Sequence, residues 1–120
     1  MPLSTGIDII EIGRIERAVK RWGERFQEHI YTPAEIAFCR GRVPELAVRF
    51  AGKEAVSKAL GTGIFGISWR EIEILPDRLG KPLVRLYGRA QARAEALGLK
   101  EFAISLSHSN EYAVASVVAL

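Results

Sequence analysis

The chain has 120 residues, of which 48% are hydrophobic and 26% charged, and its formal net charge is +3. This composition is typical of a folded globular protein and excludes a highly charged, disordered chain. No apolar run reaches the length of a membrane span, the first residues lack the pattern of a secretory leader, and Cys39 has no second cysteine to pair with. We therefore expect a single cytoplasmic domain over residues 1–120, with a positive charge that favours an acidic protein or a phosphorylated ligand.

The first predicted element is a strand over residues 4–12 that places one carboxylate among isoleucines. The β-branched isoleucines favour a strand, whereas Asp8, which lies between Ile7 and Ile9, is a poor strand former. Asp8 either faces outward at an edge or is held rigidly for a cation, and the pattern alone leaves both interpretations open.

A basic helix is predicted next, over residues 14–29, after Gly13 ends the strand. Its apolar residues follow helical spacing, and its other faces hold more basic residues than acidic ones. The basic residues are Arg14, Arg17, Lys20, Arg21 and Arg25. Such a face is either simply solvated or a docking surface for an acidic protein partner.

The longest predicted helix occupies residues 45–63, with a Gly-Thr-Gly loop at its end. Apolar residues cover nearly its whole circumference, which is typical of a buried helix. At about 100° per residue, Glu54 and Lys58 share one stripe, and Arg49 and Lys53 share another. Buried charges are costly unless they are paired or bind a ligand. The four side chains therefore form either an ordinary surface pair with a solvated basic edge, or a functional site.

The remaining predicted elements are short. They are a helix from residue 32 to near residue 41, strands over residues 69–75 and 81–86, a helix over 87–97, and strands over 102–107 and 112–120. Pro82, near the start of its strand, indicates an edge or a gap in the ladder. The last strand is apolar on both faces, which predicts burial on both faces and a subunit interface. His108, at the mouth of the last hairpin, either bonds its own turn or contacts a phosphate or base.

Three segments of the chain together resemble one enzyme family. They are GIDIIEIGRIE at residues 6–16, RFAGKEAVSKALGTG at 49–63 and SLSHSNEYAVASVV at 105–118, with Gly80-Lys81-Pro82 between the last two. In this order and spacing they are similar to 4'-phosphopantetheinyl transferases of the holo-acyl carrier protein synthase type, and the match covers essentially the whole chain. Gly52 is a small departure, since we expect alanine there, and it costs about 1 kcal/mol of helix propensity.

The resemblance implies an α+β fold, in which a small antiparallel sheet packs on one long central helix and shorter helices. It also implies a homotrimer whose active sites are shared between neighbouring subunits. The implied reaction moves the phosphopantetheine arm of coenzyme A to a serine of an acyl carrier protein, for fatty acid biosynthesis. Adenosine 3',5'-bisphosphate is released, and Mg²⁺ is required.

The resemblance assigns Asp8 and Glu54 as metal ligands, and Lys58 as the lysine that stabilises or protonates the leaving phosphate. The residue types agree with this, because Mg²⁺ prefers oxygen ligands and is typically held by one or two carboxylates and substrate phosphates. The attacking hydroxyl needs a proton acceptor, for which we favour Glu54 or a water that it orients.

Coenzyme A is expected to contact residues from several parts of the chain. Lys81 and Pro82 resemble the segment that lies along the pantetheine arm, and His108 resembles the family histidine near the nucleotide. Gly61 and Gly63 are predicted to offer bare backbone N–H groups to phosphate oxygens.

The second charged stripe of the long helix has a separate hypothetical role. Arg49 and Lys53 would serve a different subunit's ligand, or the adenosine phosphates, so that one helix contributes to two sites. The acidic helix of the carrier protein would dock on the basic helix. The residues expected to receive it are Arg14, Arg17, Arg21 and Arg25.

Two other classes of protein are compatible with parts of the sequence. A small basic RNA-binding module would explain the arginine-rich helix, but the aromatic residues lie at core-like spacings rather than at exposed stacking positions. A purely structural trimer would pair Asp8 and Glu54 with arginines, and magnesium-dependent nucleotide binding would separate it from the enzyme. Within the enzyme class, a broader transferase for peptidyl carrier domains is usually much longer, with two fused copies. We therefore expect neither nucleic acid nor a membrane as a partner.

Overall fold

The computed structural model describes residues 2–120 as five α-helices and two antiparallel sheets. The helices are α1 (Ile12–Trp22), α2 (Glu24–Ile30), α3 (Pro33–Cys39), α4 (Val43–Ala59) and α5 (Gly88–Leu97). The strands are β1 (Ser4–Glu11), β2 (Ile72–Pro76), β3 (Pro82–Leu86), β4 (Phe102–His108) and β5 (Tyr112–Ala119). This is the predicted α+β arrangement. In the described part of the chain, none of the helices is both long and apolar enough to cross a membrane.

The larger sheet has the strand order β1-β5-β4, and α4 packs across one of its faces. The approach of β1 to α4 is very close, since a Cβ added to Gly6 would lie 1.9 Å from the Ala55 carbonyl oxygen. Only glycine therefore fits at residue 6 without moving the strand. Two residues further along β1, Asp8 pairs with Ala115 of β5 and lies beside Lys58 of α4.

The opposite face of the larger sheet is exposed in the single chain. Residues of β5 alternate between buried and exposed positions, so the expected burial of both faces is wrong for one copy of the chain. On the open side, Ile7, Ile9 and Val118 are 63%, 64% and 43% exposed. The sheet thus has one face in the core and one apolar face that the chain itself does not cover.

The predicted basic helix is divided into α1 and α2 at Gly23. This residue has φ 57° and ψ −131°, a conformation that glycine adopts readily and that ends the helix. The helix α1 also begins earlier than predicted, at Ile12, whose N–H donates to the Glu111 carbonyl at 2.8 Å. The last of the four predicted docking arginines, Arg25, consequently lies on a different helix from the others.

The strands β2 and β3 form a separate two-stranded sheet. Pro76 pairs with Pro82 at the end of this hairpin, so Pro82 occupies an edge strand as predicted. The Asp77 carboxylate orders the turn, because its Oδ1 accepts from the backbone N–H groups of Leu79 at 2.8 Å and Lys81 at 3.0 Å. The position of Lys81 is therefore set by the turn.

The segment before β2 is a 3₁₀ turn rather than the first part of the strand. The turn spans Trp69–Glu71, and the Glu71 carboxylate accepts from the Ser68 N–H at 2.6 Å. The predicted strand over residues 69–75 consequently begins only at Ile72. The Trp69 ring stacks on Phe50 of α4 with ring centroids 4.7 Å apart, which holds the turn against the central helix.

Candidate active site

Asp8, Glu54 and Lys58 lie together where β1 crosses α4. The Nζ of Lys58 is 3.1 Å from Oδ1 of Asp8 and donates to the Ile7 carbonyl at 2.8 Å. Glu54 precedes Lys58 by one helical turn, and the Asp8 carboxylate is close enough to affect its ionisation. The structure therefore brings together the three residues predicted to carry the chemistry.

The Glu54 carboxyl group has unusual electrostatic surroundings. Burial raises the pKa of Glu54, the neighbouring Asp8 carboxylate raises it further, and the charges of Lys58 and Arg14 oppose both effects. A carboxyl group with a raised pKa accepts and holds a proton closer to neutral pH, which suits general acid–base chemistry. Arg14, predicted as a docking residue, also contributes to the field at this site.

The two carboxylates fit a magnesium ion. The carboxylate of Asp8 accepts from Lys58, whereas that of Glu54 has no hydrogen-bond donor among residues 2–120. Within those residues, no group of three or more His, Cys, Asp or Glu side chains could hold a metal on its own. Mg²⁺ is typically bound by one or two carboxylates together with substrate phosphates and water. Asp8 and Glu54 are therefore the residues that could hold it, with a phosphorylated substrate completing the ligand set.

A cavity of about 800 Å³ lies between the β2–β3 hairpin, β4 and α4. Its walls contain four residues predicted to bind coenzyme A, namely Arg49, Lys81, Pro82 and His108. Arg78 also lines this cavity and was not predicted, although its place just before the Gly80-Lys81-Pro82 motif could have indicated it. The cavity thus offers several cationic side chains to an anionic ligand.

Arg49 is held rigidly at the wall of this cavity. Its Nε donates to the Ile74 carbonyl at 2.9 Å, and its Nη1 donates to Glu45 Oε1 at 2.7 Å. The guanidinium carbon also lies 4.5 Å from the centroid of the Phe38 ring. His108, by contrast, is exposed, and its Nδ1 is 3.3 Å from the carbonyl oxygen of the next residue. It therefore both contacts its own turn and borders the cavity.

Lys53 lies outside both the cavity and the carboxylate pair. It is fully buried, and its Nζ donates to Glu35 Oε1 at 2.7 Å, to the Trp69 carbonyl at 3.1 Å and to the Ile72 carbonyl. These acceptors use all three hydrogens of the ammonium group. Burial lowers the pKa of Lys53, and the Glu35 carboxylate opposes this shift. The hypothesis that Lys53 contacts coenzyme A is therefore wrong for this structure.

The glycines after α4 close the helix instead of offering free donors. The N–H of Gly61 donates to the Lys58 carbonyl at 3.0 Å, and that of Gly63 donates to the Ser57 carbonyl at 3.2 Å. Both glycines have positive φ values, 76° and 58°, which favour glycine at a helix end. The prediction of bare N–H groups at Gly61 and Gly63 is therefore wrong, and these residues shape the turn that follows Lys58.

The four arginines predicted to receive a carrier protein are all exposed. They are Arg14, Arg17, Arg21 and Arg25. Arg21 lies over the exposed ring of Trp22, with its guanidinium carbon 4.9 Å from the ring centroid. Because Arg14 acts on the ionisation of Glu54, this basic face begins beside the carboxylate pair.

The carboxylate pair and the cavity lie at opposite edges of the larger sheet. Asp8 is on the edge strand β1, whereas the cavity is lined by the opposite edge strand β4 and by Ser116 and Val118 of the central strand β5. A single chain therefore presents the carboxylate pair and the cavity as two separate regions rather than as one pocket.

Comparison with known proteins identifies the family. The sequence profile of the 4'-phosphopantetheinyl transferase superfamily matches residues 4–117. The chain belongs to this superfamily. The chain is 50% identical over 125 residues to the holo-[acyl-carrier-protein] synthase of Herpetosiphon aurantiacus, and the match covers 98% of each chain. It is 55% identical over 117 residues to the enzyme of that name from Dehalococcoides mccartyi, again with 98% of each chain covered.

Solved structures of this transferase type share the fold. Holo-[acyl-carrier-protein] synthase from Helicobacter pylori, in complex with coenzyme A, has a TM-score of 0.89 and 36% sequence identity, covering 97% of this chain and 99% of that one. The enzyme from Neisseria meningitidis has a TM-score of 0.87 and 40% identity, covering 98% and 97%. The resemblance stated from the three sequence segments is thus confirmed, as are the transferase fold and the enzyme class. Neither the RNA-binding nor the purely structural alternative gains support.

Proposed function

We propose that this transferase moves the 4'-phosphopantetheine arm of coenzyme A to a serine hydroxyl of an apo-acyl carrier protein, in a magnesium-dependent reaction. Adenosine 3',5'-bisphosphate is the released product, and fatty acid biosynthesis is the process served. The observation that carries the proposal is the pairing of Asp8 and Glu54 beside Lys58, in a chain of the phosphopantetheinyl transferase superfamily. A cytoplasmic location and a single domain over residues 1–120 stay predictions.

The residues around the carboxylate pair have complementary tasks in this reaction. The serine oxygen forms a bond to the phosphorus that carries the pantetheine arm, and the bond to the bridging diphosphate oxygen breaks. Lys58, fixed by Asp8 and the Ile7 carbonyl, neutralises or protonates the leaving phosphate. Glu54, or a water that it orients, takes the serine proton. A Mg²⁺ held by Asp8 and Glu54 would supply charge neutralisation on the diphosphate.

The cavity at the other edge of the sheet suits the long, anionic coenzyme A molecule. Arg49, Arg78, Lys81 and His108 would face its phosphates or its nucleotide. Pro82 supplies an apolar wall for the pantetheine arm. In this proposal the cavity binds coenzyme A, and the carboxylate pair carries out the transfer.

We propose a homotrimer in which each active site combines the carboxylate pair of one subunit with the cavity of its neighbour. Two features support this arrangement. The partial sites lie toward opposite edges of one sheet, and the open face of that sheet exposes Ile7, Ile9 and Val118, the last of which also lines the cavity. Large exposed apolar patches mark interaction surfaces in soluble proteins. Cyclic assembly would place the β1 edge of one subunit's sheet beside the β4 edge of the neighbouring subunit's sheet.

The acidic carrier protein would dock on the exposed arginines of α1 and α2. This surface begins beside Glu54, because the charge of Arg14 acts on that carboxyl group. A carrier serine presented there would therefore meet the carboxylate pair.

The direct test of the reaction is the mass of the carrier protein after incubation with coenzyme A, Mg²⁺ and this protein. A gain of one phosphopantetheine that disappears with a metal chelator supports the proposal. No gain with several apo-carrier proteins contradicts it.

Sharing of sites between subunits is tested by mixing two inactive variants, Glu54→Gln and Lys81→Glu. If each site draws on two subunits, mixed trimers contain some sites with both intact halves and regain part of the activity. No recovery after subunit exchange, verified by mass spectrometry of the mixed assemblies, contradicts shared sites.

A further inference from the structure

One edge of β2 is bonded by side chains instead of by a strand. The strand β2 pairs only with β3, so its other edge would leave backbone groups unpaired. Lys53 Nζ donates to the Ile72 carbonyl, Glu35 Oε2 accepts from the Ile74 N–H at 2.8 Å, and Arg49 Nε donates to the Ile74 carbonyl at 2.9 Å. Two residues of α4 and one of α3 thus replace a neighbouring strand.

The ion pair at the centre of this arrangement is completely buried. Lys53 and Glu35 are both 0% exposed, and Nζ lies 2.7 Å from Oε1. Taking two charges out of water costs about as much as their attraction returns, so apolar residues of similar volume often stabilise a core equally well. Stability alone therefore does not account for this pair. What apolar side chains cannot do is bond the backbone of β2 at defined positions.

The bonding continues from β2 to the start of α5. Thr32 Oγ1 donates to Glu73 Oε2 at 2.7 Å, and the Tyr87 hydroxyl donates to Glu73 Oε1 at 3.2 Å. The Thr32 N–H also donates to Glu35 Oε1 at 2.9 Å. Three successive residues of β2 are consequently tied to the helical part of the molecule, two through their backbone and one through its side chain.

The hydrogen bonds of Lys53 connect the helix that carries the carboxylate pair to the hairpin that lines the cavity. Lys53 immediately precedes Glu54 on the catalytic helix, and the hairpin that Lys53 holds carries Lys81 and Pro82 at the cavity. We propose that the buried Lys53–Glu35 pair is a positioning device, which sets the β2–β3 hairpin relative to α4 and thereby shapes the coenzyme A cavity. This inference rests on the proposed function for coenzyme A as the substrate.

A neutral double variant separates positioning from stability. Lys53→Met combined with Glu35→Gln keeps the side-chain volumes and removes both buried charges, and glutamine still serves the capping box at Thr32. It removes the donor to the Ile72 and Trp69 carbonyls, and a glutamine whose oxygen caps Thr32 places its NH2 group, which cannot accept, against the Ile74 N–H. Because small misplacements of substrate-positioning groups are costly, we expect KM for coenzyme A to rise about tenfold or more. KM for the carrier protein and kcat at saturating coenzyme A should stay within about threefold of the wild type, since the carboxylate pair is untouched.

The matched control is Tyr31→Phe. It removes a buried hydrogen bond that reaches α4, which the Tyr31 hydroxyl donates to the Leu46 carbonyl at 2.7 Å, without touching the hairpin. We expect this variant to lower Tm and to leave both KM values unchanged. A double variant that folds with wild-type KM for coenzyme A overturns the proposal. So does an equal rise of KM for coenzyme A in Tyr31→Phe, because loss of core stability would then explain the effect.

A second readout does not depend on activity. Amide hydrogen exchange of peptides covering residues 72–86 should be faster in Lys53→Met/Glu35→Gln than in the wild type, and unchanged in Tyr31→Phe. Unchanged exchange in the double variant would show that the Lys53–Glu35 pair does not hold the β2–β3 hairpin in place. If the wild-type protein transfers nothing, the proposed function fails while the exchange data still decide whether the pair holds the hairpin.

Discussion

Lys53 and Glu54 are adjacent charged residues on α4, but they differ in whether the chain supplies hydrogen-bond partners for them. Lys53 is fully buried, and all three of its ammonium hydrogens are used by acceptors within the chain. Glu54, the next residue, has no donor to its carboxylate among residues 2–120, and burial together with Asp8 raises its pKa. Of these two adjacent charges, therefore, only the one that the chain itself leaves without a hydrogen-bond donor indicates a ligand site.

The basic residues on the two sides of α4 also differ in the groups to which they are bonded. On the side of the carboxylate pair, Lys58 is half exposed and bonds one carboxylate and one carbonyl of β1. On the hairpin side, Arg49 and Lys53 bond carbonyl groups of β2. The first arrangement leaves room for a substrate, and the second fixes a structural element. Substitutions on the carboxylate side, a charge reversal on the basic face and chemical labelling of the core test this account.

The largest effect is expected from neutralising the open carboxylates. Glu54→Gln and Asp8→Asn should each lower kcat by at least about 1,000-fold, because the charge stabilisation supplied by a bound metal is worth several kcal/mol. The rate of carrier modification measures this, with circular dichroism to verify the fold. Wild-type rates in either variant would remove the carboxylate pair from the mechanism.

A smaller loss is expected from Lys58→Met, which keeps the aliphatic stem and removes the ammonium group. We expect kcat to fall by about 100-fold or more, since charge stabilisation or proton transfer to the leaving phosphate is lost. KM for coenzyme A should change much less. Lys58→Arg should retain more activity than Lys58→Met, and equal rates in the two variants would show that positive charge here is not used.

Charge reversal on the basic face should affect one substrate only. Arg21→Glu should raise KM for the carrier protein about tenfold at low salt and leave KM for coenzyme A unchanged, because exposed rim charges act mainly on encounter. Lys100→Glu is a control with the same change in net charge on an exposed lysine outside α1. If both variants raise KM equally, net charge rather than a docking surface is responsible.

The smallest effect is expected at Cys39, which lies in the core and outside both the carboxylate pair and the cavity. Burial raises the pKa of its thiol from 9.0 to about 11, which lowers the thiolate fraction at pH 8 about 100-fold. Alkylation by iodoacetamide should therefore be slow in the native protein and fast in denaturant. The folded pKa lies above the unfolded value, so the stability contributed by this thiol is complete below pH 9 and is lost as pH rises through about 11. Rapid native labelling would show that the core around Cys39 is open.

The sequence predicts which charges lie together on the carboxylate side of α4 better than it does on the hairpin side. Glu54 and Lys58 are one turn apart, so their common stripe follows from helical geometry. The same geometry grouped Lys53 with Arg49, but the role of Lys53 depends on Glu35 and on carbonyl groups of residues 69 and 72. Those partners come together only in the folded chain, and no local pattern reveals them.

The roles of Gly61 and Gly63 also depend on partners that the local sequence does not reveal. A Gly-Thr-Gly segment after a helix is compatible with a phosphate-binding loop and with a helix end, and the two differ only in whether nearby carbonyls accept the N–H groups. In this chain the carbonyls of Ser57 and Lys58 do accept them. Gly23, which divides the predicted basic helix, likewise acts through a backbone conformation that hydrophobic spacing does not show. The existence of the strands and the pairing within the hairpins β2–β3 and β4–β5, by contrast, follow from the residue types and the turns that join them, whereas the pairing of β1 with β5 does not.

The most direct test of the account is the dependence of the transfer rate on Mg²⁺ concentration in the wild type, in Glu54→Gln and in Lys53→Met/Glu35→Gln, at saturating coenzyme A. We expect the wild type and the buried-pair variant to show the same half-saturating Mg²⁺ concentration, and Glu54→Gln to show no saturable activation in the same range. An unchanged magnesium dependence in Glu54→Gln, or a shift confined to the buried-pair variant, would contradict the division between the open and the buried side of α4.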